Sequence, residues 1–224
     1  YVTISGSVGH GYAMSQIVEA TVAGLQAMDL PAGITWGLGG TYEDQQDTFT
    51  DLITLMALMI ILVFVIMASQ FESLTYPFVI MFSLPFALVG VFIGLWLTGT
   101  AMGVMGMLGV LMLVGIVVNN GIVLVDYTRL CIAREMPTYE AVVAAGRSRL
   151  RPILMTTLTT VIGMIPMAIG NGVGSEMWNS LGMAVAWGLS FSTLITLFLI
   201  PVMFTSLTLR KERRLAKKLA KNKA

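Results

Sequence analysis

Residues 105–125 read MGMLGVLMLVGIVVNNGIVLV and contain no charged side chain. A helix rises 1.5 Å per residue, so this run reaches about 31 Å, the thickness of a bilayer's hydrocarbon core. An apolar run that long reads as a membrane-spanning helix, because in lipid every backbone donor and acceptor must be satisfied inside the segment. The fold class follows from it: a mainly α membrane protein. Its two adjacent amides, Asn119 and Asn120, are the feature that such a helix does not need for insertion.

Moving outward, four more runs meet the same length test. Residues 52–68 and 76–97 precede the first run and are joined by the short polar loop Ser69-Gln70-Phe71-Glu72-Ser73. Pro77 falls near the start of the second run, where its missing N–H costs little. Thr98-Gly99-Thr100 makes the turn into the third. Residues 152–169 and 181–204 follow, separated by the Gly-rich loop Gly170-Asn171-Gly172-Val173-Gly174-Ser175. Residues 136–148 differ: Thr138 can cap a short helix with Val142, Val143 and Ala145 on one side and Glu140, Arg147 and Arg149 on others. That pattern predicts an amphipathic helix lying at the cytoplasmic interface.

Charge placement orients the five spans. The chain is 56% hydrophobic and only 11% charged, with a mean hydropathy of +0.85. All 13 Lys and Arg lie in two places, residues 129–151 and residues 210–223, while residues 1–51 hold acids and no base. Cytoplasmic loops of membrane proteins are enriched in Lys and Arg. Five crossings put the chain ends on opposite sides, so the loop after the third span and the basic tail both fall in the cytoplasm. The acidic N-terminal segment is then external, which in a Gram-negative cell means periplasmic. The tail is explained by topology and attraction to anionic lipid rather than by nucleic acid, which is not expected as a partner.

The first 47 residues read as α/β material. Residues 1–7 alternate apolar and polar side chains, Gly6, Gly9 and Gly11 mark a turn, and residues 15–28 carry the helical stripe Ile17, Val18, Val22 and Leu25. Leu30-Pro31-Ala32-Gly33 breaks that helix, and residues 34–38 read as a second strand. A βαβ unit of this size rarely buries its own core. With Tyr1 in place of Met and no leader-like opening, the chain is expected to be a piece of something longer. The division is 1–47 for the βαβ fragment, 48–209 for the membrane domain and 210–224 for the basic tail.

Polar groups inside spans are candidates for function by default. Asn119 and Asp126 share a face of the third span, one helical repeat apart. The fourth span opens with Arg149 and Arg151 and presents Thr156, Thr157, Thr159 and Thr160. Thr156 and Asn119 can lie at similar depths. Two readings stand side by side. In one, Asn119, Asn120, Arg149 and Thr156, with Asp126, Thr157 and Thr160 behind them, form a hydrogen-bonded cluster that responds to protonation of a carboxylate on another helix. In the other, the amides and hydroxyls are glue between packed helices, and small residues such as Gly115, Gly121 and Gly163 simply allow close approach. The spans contain no deeply placed acid of their own, since Glu72 and Asp126 fall at their ends.

Other chemistries find no support. Cys131 and His10 stand alone of their kinds, so no disulfide framework or Cys/His metal site can be built. Cys131 reads as a reduced, inert cytoplasmic-side thiol and His10 as a turn residue. The 17 methionines lie mostly in apolar runs, where Met is ordinary filler rather than a soft-metal ligand. The glycines of residues 170–175 follow a membrane helix instead of a strand, and no GxxxxGK[ST] occurs, so neither a dinucleotide nor an ATP site is read. No cofactor is expected.

Three motifs, in order, make the membrane part specific: SQFESL at 69–74 with Pro77-Phe78 behind it, VGIVVNNGIVLVDY at 114–127, and RLRPILMTT at 149–157. Together they resemble the last membrane spans of RND (resistance-nodulation-division) efflux pumps, closest to the hydrophobe/amphiphile branch. The resemblance implies that the five spans are the eighth to twelfth of a twelve-helix proton antiporter in the bacterial inner membrane. It makes the N-terminal fragment the end of a periplasmic porter subdomain. It further implies a homotrimer that works with a periplasmic adaptor protein and an outer-membrane channel, and with the upstream half of the same transporter. In such pumps a proton taken up by paired aspartates on the fourth helix changes contacts with polar residues of the tenth and eleventh. By position the tenth-helix contact falls on Asn119, the basic residue before the eleventh helix on Arg149, and the hydroxyl on Thr156. Several members carry lysine where Asn119 stands, so the coupling implied here is hydrogen-bonded instead of salt-bridged. A protein-export relative of the superfamily and an inactive truncated membrane bundle are the rival readings.

Overall fold

Seven helices make up the regular structure among the residues that the computed structural model describes, which are 2–6, 14–28, 31, 35–170 and 175–222. In chain order they are α1 (Met14–Gln26), α2 (Thr41–Phe71), α3 (Thr75–Met81), α4 (Leu84–Thr98), α5 (Val104–Ala133), α6 (Thr138–Ile169) and α7 (Ser175–Asn222). The chain divides into two units, Tyr1–Thr50 and Asp51–Ala224.

In the first unit, α1 carries the expected stripe, with Ile17, Val18, Val22 and Leu25 half-buried and Glu19, Ala20, Thr21 and Ala23 exposed. The strands expected at 1–7 and 34–38 do not form over their described parts: residues 2–6 and 35–38 have no regular structure, and Val2 and Ile4 are 90% and 95% exposed. A strand is stable only in a ladder that pairs its backbone N–H and C=O groups, and neither segment has one among the described residues. The rest of those expected strands and His10 lie outside the described residues. Before α2, Gly40 takes the left-handed conformation (φ 74°), and its carbonyl accepts from Asp44 N–H at 3.1 Å. Glu43 and Asp44 in the first turn suit the positive end of the helix dipole.

The second unit holds the membrane bundle. Five stretches are long and apolar enough to cross a bilayer: Tyr42–Phe71, Thr75–Thr98, Val104–Ala133, Thr138–Ile169 and Met177–Thr208. Three of them differ in detail from the hydropathy reading. The second is not one helix but α3 and α4, broken at Phe82 and Ser83. Pro85 has no N–H to offer Met81 O, and at the neighbouring position the N–H and Oγ of buried Ser83 both donate to Ile80 O, at 3.1 and 2.6 Å. The amphipathic segment at 136–148 is not separate from the fourth span: α6 runs unbroken through Pro152. The carbonyl that Pro152 leaves without its donor belongs to Ser148, an exposed residue at the expected interface. The fifth helix continues past Pro201 and through the basic segment to Asn222, so α7 at 48 residues is about 72 Å long.

Turn chemistry sets the connections. Gly99 closes α4 with φ 64°, and Thr100 N–H reaches back to Leu95 O at 3.1 Å. That αL cap is the conformation glycine adopts without a Cβ penalty. Between α5 and α6, Glu135 (φ 63°) and Met136 turn the chain, with Met136 N–H on Cys131 O at 3.3 Å.

Packing is centred on α7, which meets α3, α4, α5 and α6. Small residues let it come close. Phe191 and Trp187 of α7 lie over Gly90 and Gly94 of α4, and Gly188 of α7 takes the side chains of Leu113 and Val91. Gly182 of α7 lies against Ala168 of α6, and Gly109 of α5 against Leu181 and Ala184. These pairs make α7 parallel to α5 and antiparallel to α6. The core they enclose includes Val79, Ile80, Val91, Val110, Leu113, Val117, Leu124, Val125, Leu189, Ile200 and Phe204. The outer helices are different. Only 11% of the apolar window of α2 and 17% of that of α6 is buried, against 56% for α5, so α2 and α6 present wide faces that nothing among the described residues covers.

Candidate functional site

The candidate residues sit on α5 and α6, whose relative register is set where Arg149 lays its guanidinium over the ring of Tyr127, 4.5 Å from the centroid. Asn119 is eight residues from Tyr127 along α5, and Thr156 is seven from Arg149 along α6. At 1.5 Å per residue those are about 12 and 10 Å on antiparallel helices, so Asn119 and Thr156 share one depth.

Burial sorts these residues into two faces. Asn119, Thr156 and Asp126 are exposed, and Thr160 is half-buried. Asn120 and Thr157, each 6% exposed, point into the core. Adjacent positions on a helix diverge by about 100°, so a pair such as Asn119-Asn120 or Thr156-Thr157 serves both faces at one level. The result is a polar layer that crosses an otherwise apolar bundle.

Within the layer the bonds run differently from the simplest expectation. Thr156 Oγ1 donates to Pro152 O at 3.0 Å and Thr160 Oγ1 to Thr156 O at 2.9 Å, both within α6. Thr157 Oγ1 instead bonds Thr193 Oγ1 of α7 at 3.1 Å, a buried link between two helices. The Arg149 contact is to Tyr127, and its Nε is buried with no hydrogen-bond partner among the described residues. Asn119 and Thr156 thus lie near the middle of two adjacent helices, with Arg149 about 10 Å away along α6, and no hydrogen bond joins any two of the three.

Two groups escaped the sequence reading. On α7, Ser192, Thr193 and Thr196 are 1%, 4% and 2% exposed. The rule that flags polar groups inside spans would have found them. Farther toward the basic end, Arg129 lies 5.3 Å from the ring centroids of both Phe71 and Tyr76, and Tyr76 stacks on Phe204 at 5.4 Å. This ties the end of α2 to α3, α5 and α7. Nothing in the one-dimensional pattern connects those four positions.

Among the described residues no group of His, Cys, Asp and Glu is arranged to hold a metal ion. Cys131 is a free, buried thiol. Met67 is part of the apolar core, and Met56, Met59, Met81, Met102, Met183 and Met203 pack against it.

A bundle of five membrane helices, crossed at one depth by a polar layer, is the geometry against which known proteins are compared. Residues 1–208 match the model of the AcrB/AcrD/AcrF family. The chain belongs to that family. Swarming motility protein SwrC of Bacillus subtilis (strain 168) is 36% identical over 219 residues, which is 96% of this chain and 20% of that protein. Multidrug resistance protein MdtC of Erwinia tasmaniensis is 33% identical over 203 residues, 90% of this chain and 20% of the relative. A crystal structure of a heavy metal efflux pump superposes with a TM-score of 0.75 at 29% identity, covering 87% of this chain and 20% of the pump. The chain thus spans 20% of the length of these AcrB/AcrD/AcrF-like relatives. Membership agrees with the RND resemblance carried by the three motifs, and the five apolar helices make the chain a multi-pass membrane protein.

Proposed function

We propose that this chain is the C-terminal membrane segment of a proton-driven RND pump of the hydrophobe/amphiphile branch, exporting drugs or other amphiphiles. In this reading Asn119, Thr156 and Arg149, with Asn120, Thr157, Thr160 and Asp126 around them, are the responding side of the proton relay. One observation carries it: at a single depth of the bundle, an amide and a hydroxyl stand on a face that no helix among the described residues covers. Polar groups facing hydrocarbon are costly, so such a face is stable when another polar element lies against it. The acids of the second unit's spans, Asp51 of α2, Asp126 and Glu140, stand outside that level, as does Glu72 in the loop before α3. The proton-carrying carboxylates therefore belong to a membrane helix supplied by the upstream part of the transporter.

The coupling follows from chemistry. A neutral amide at Asn119 can donate to an ionised carboxylate and accept from a protonated one, so it re-pairs rather than lets go when the acid titrates. Arg149, its charge held over Tyr127 near the cytoplasmic end, supplies a fixed positive potential below the layer. The N-terminal unit is placed in the periplasm and the basic end of α7 in the cytoplasm, in the inner membrane. Trimer assembly with an adaptor and an outer-membrane channel belongs to the same proposal.

The test is dye efflux from a pump-deficient host that expresses the full-length transporter, with and without a proton uncoupler. Uncoupler-sensitive export is expected, and Asn119→Leu is expected to lower it at least about tenfold, one hydrogen bond's worth of coupling, while membrane insertion is unchanged. Uncoupler-insensitive dye accumulation in the wild type sinks the pump reading. Full efflux in the leucine variant reduces Asn119 to helix glue.

A further inference from the structure

The inner side of the polar layer holds hydroxyls that the relay described so far does not use. Ser192 Oγ and Thr196 Oγ1 are buried without a hydrogen-bond partner among the described residues. Other hydroxyls on the same helix solve this problem locally: Ser190 donates to Ala186 O at 2.7 Å and Thr205 to Pro201 O at 2.8 Å. Ser192 and Thr196 do not. Buried polar groups nearly always find a partner, in protein or in ordered water, because leaving one unpaired costs free energy.

Their surroundings are polar on three helices. Thr193, between them in sequence, is bonded to Thr157 of α6. On the α5 side, the Leu113 side chain meets Gly188 and the Ile200 side chain meets the Gly121 position, so residues 114–120 of α5 run alongside the stretch 189–199 of α7. Asn120, 6% exposed, belongs to that interval together with Ser192 and Thr196. Two residues four apart on a helix are about 6 Å apart along its axis, and one water bridging two hydroxyls spans about 5.5 Å.

We propose that Asn120, Thr157, Ser192, Thr193 and Thr196 form a water-holding site between α5, α6 and α7, which carries the relay from its outer face at Asn119 and Thr156 inward to α7. The water site stands on the burial and the unpaired hydroxyls alone; its part in the relay rests on the pump reading above. Its consequence is mechanical. The helix that packs against four others then shares a hydrogen-bond network with the layer that senses the proton, so a rearrangement at Asn119 and Asn120 reaches α7 directly.

Two measurements on the intact transporter decide it. A high-resolution structure is expected to show ordered water within about 3 Å of both Ser192 Oγ and Thr196 Oγ1. A dry contact, with the two hydroxyls turned onto the carbonyls of Gly188 and Ser192, overturns the site whether or not the protein pumps. The second measurement uses Thr196→Val and Ser192→Ala. If these hydroxyls are passengers, removing them relieves an unpaired polar atom, so thermal stability in detergent holds or rises and export is unchanged; that result overturns the relay role. The proposal expects a lowered melting temperature, because the bound water loses a partner, together with uncoupler-sensitive export lowered about tenfold in turnover at constant substrate KM, both restored by Thr196→Ser. A wild-type transporter with no uncoupler-sensitive export refutes the pump reading and the relay role together, while the water density still decides the site.

Discussion

Arg149 shows how a single residue joins elements. Its guanidinium rests on the Tyr127 ring at 4.5 Å and its Nε is withdrawn from solvent, so the aromatic face replaces part of the hydration that the cation gives up. A partly desolvated cation–π contact contributes on the order of 1 kcal/mol. Tyr127→Leu keeps an apolar body at the contact and removes the ring quadrupole. That variant is expected to lose about 1 kcal/mol of stability, whereas Tyr127→Phe stays within about 0.5 kcal/mol of wild type. Thermal unfolding of the purified protein in detergent measures both. Equal losses in the two variants would mean that the phenol hydroxyl, rather than the ring face, makes the contact.

At the scale of the element, the glycines of α4 and α7 define what the bundle tolerates. A Cβ at Gly188 would run into Leu113 and Val91 at once, and one at Gly94 into Trp187. Overpacking of this kind usually costs 1–3 kcal/mol where neighbours can shift, and here both sides are core. Gly188→Val is expected to destabilise by about 3 kcal/mol or to abolish expression, while Gly163→Ala, with open space at its Cβ, is expected to be neutral or slightly stabilising. Yield and melting temperature of the two variants check the contrast. A stable Gly188→Val protein would show that α7 does not sit as close to α4 and α5 as these contacts require. Gly99→Ala tests a different mechanism: with φ 64° an added Cβ is strained although its space is empty, for a loss of about 1 kcal/mol.

The same elements show what was legible in advance. Each span announces itself because hydropathy is summed over some twenty positions, and no single residue can hide it. The break at Phe82 and Ser83 was not legible, since Pro85 near a helix start and Pro152 inside a helix look alike as letters. What separates them is the surroundings: the chain next to Pro85 holds a buried hydroxyl, Ser83, bonded to Ile80 O, whereas the carbonyl freed by Pro152 belongs to exposed Ser148. Asn119 and Asn120 stood out as amides, yet only the fold shows that one faces outward and the other inward. Ser192 and Thr196 were readable as polar groups inside a span, but that they are buried and unpaired among the described residues shows only in the fold. The strands expected in the first unit depend on pairing, which is a property of two segments and not of one.

For the whole molecule, the charge distribution makes a claim that can be tested without any transport assay. With every Lys and Arg after residue 128, the enrichment of basic residues in cytoplasmic loops predicts that the loop at 129–151 and the end of α7 lie on one side and the acidic N-terminal residues on the other. The Arg129 contact with Phe71 and Tyr76 supports this, because it puts the end of α2 and the start of α3 at the same end of the bundle as the basic loop. Single cysteines introduced at Val2 and at Tyr139, both exposed, in a Cys131→Ser background read the two sides. In intact cells with a permeable outer membrane, a membrane-impermeant maleimide is expected to label the Val2→Cys protein. The Tyr139→Cys protein should react only after the inner membrane is lysed. The reverse pattern would invert the bundle, placing thirteen basic residues outside and leaving the polar layer at Asn119 nearer the periplasm, where it could not act on the cytoplasmic half of a proton path. Labelling of both from outside would require an even number of crossings between them and so remove one of the three spans Tyr42–Phe71, Thr75–Thr98 and Val104–Ala133 from the membrane.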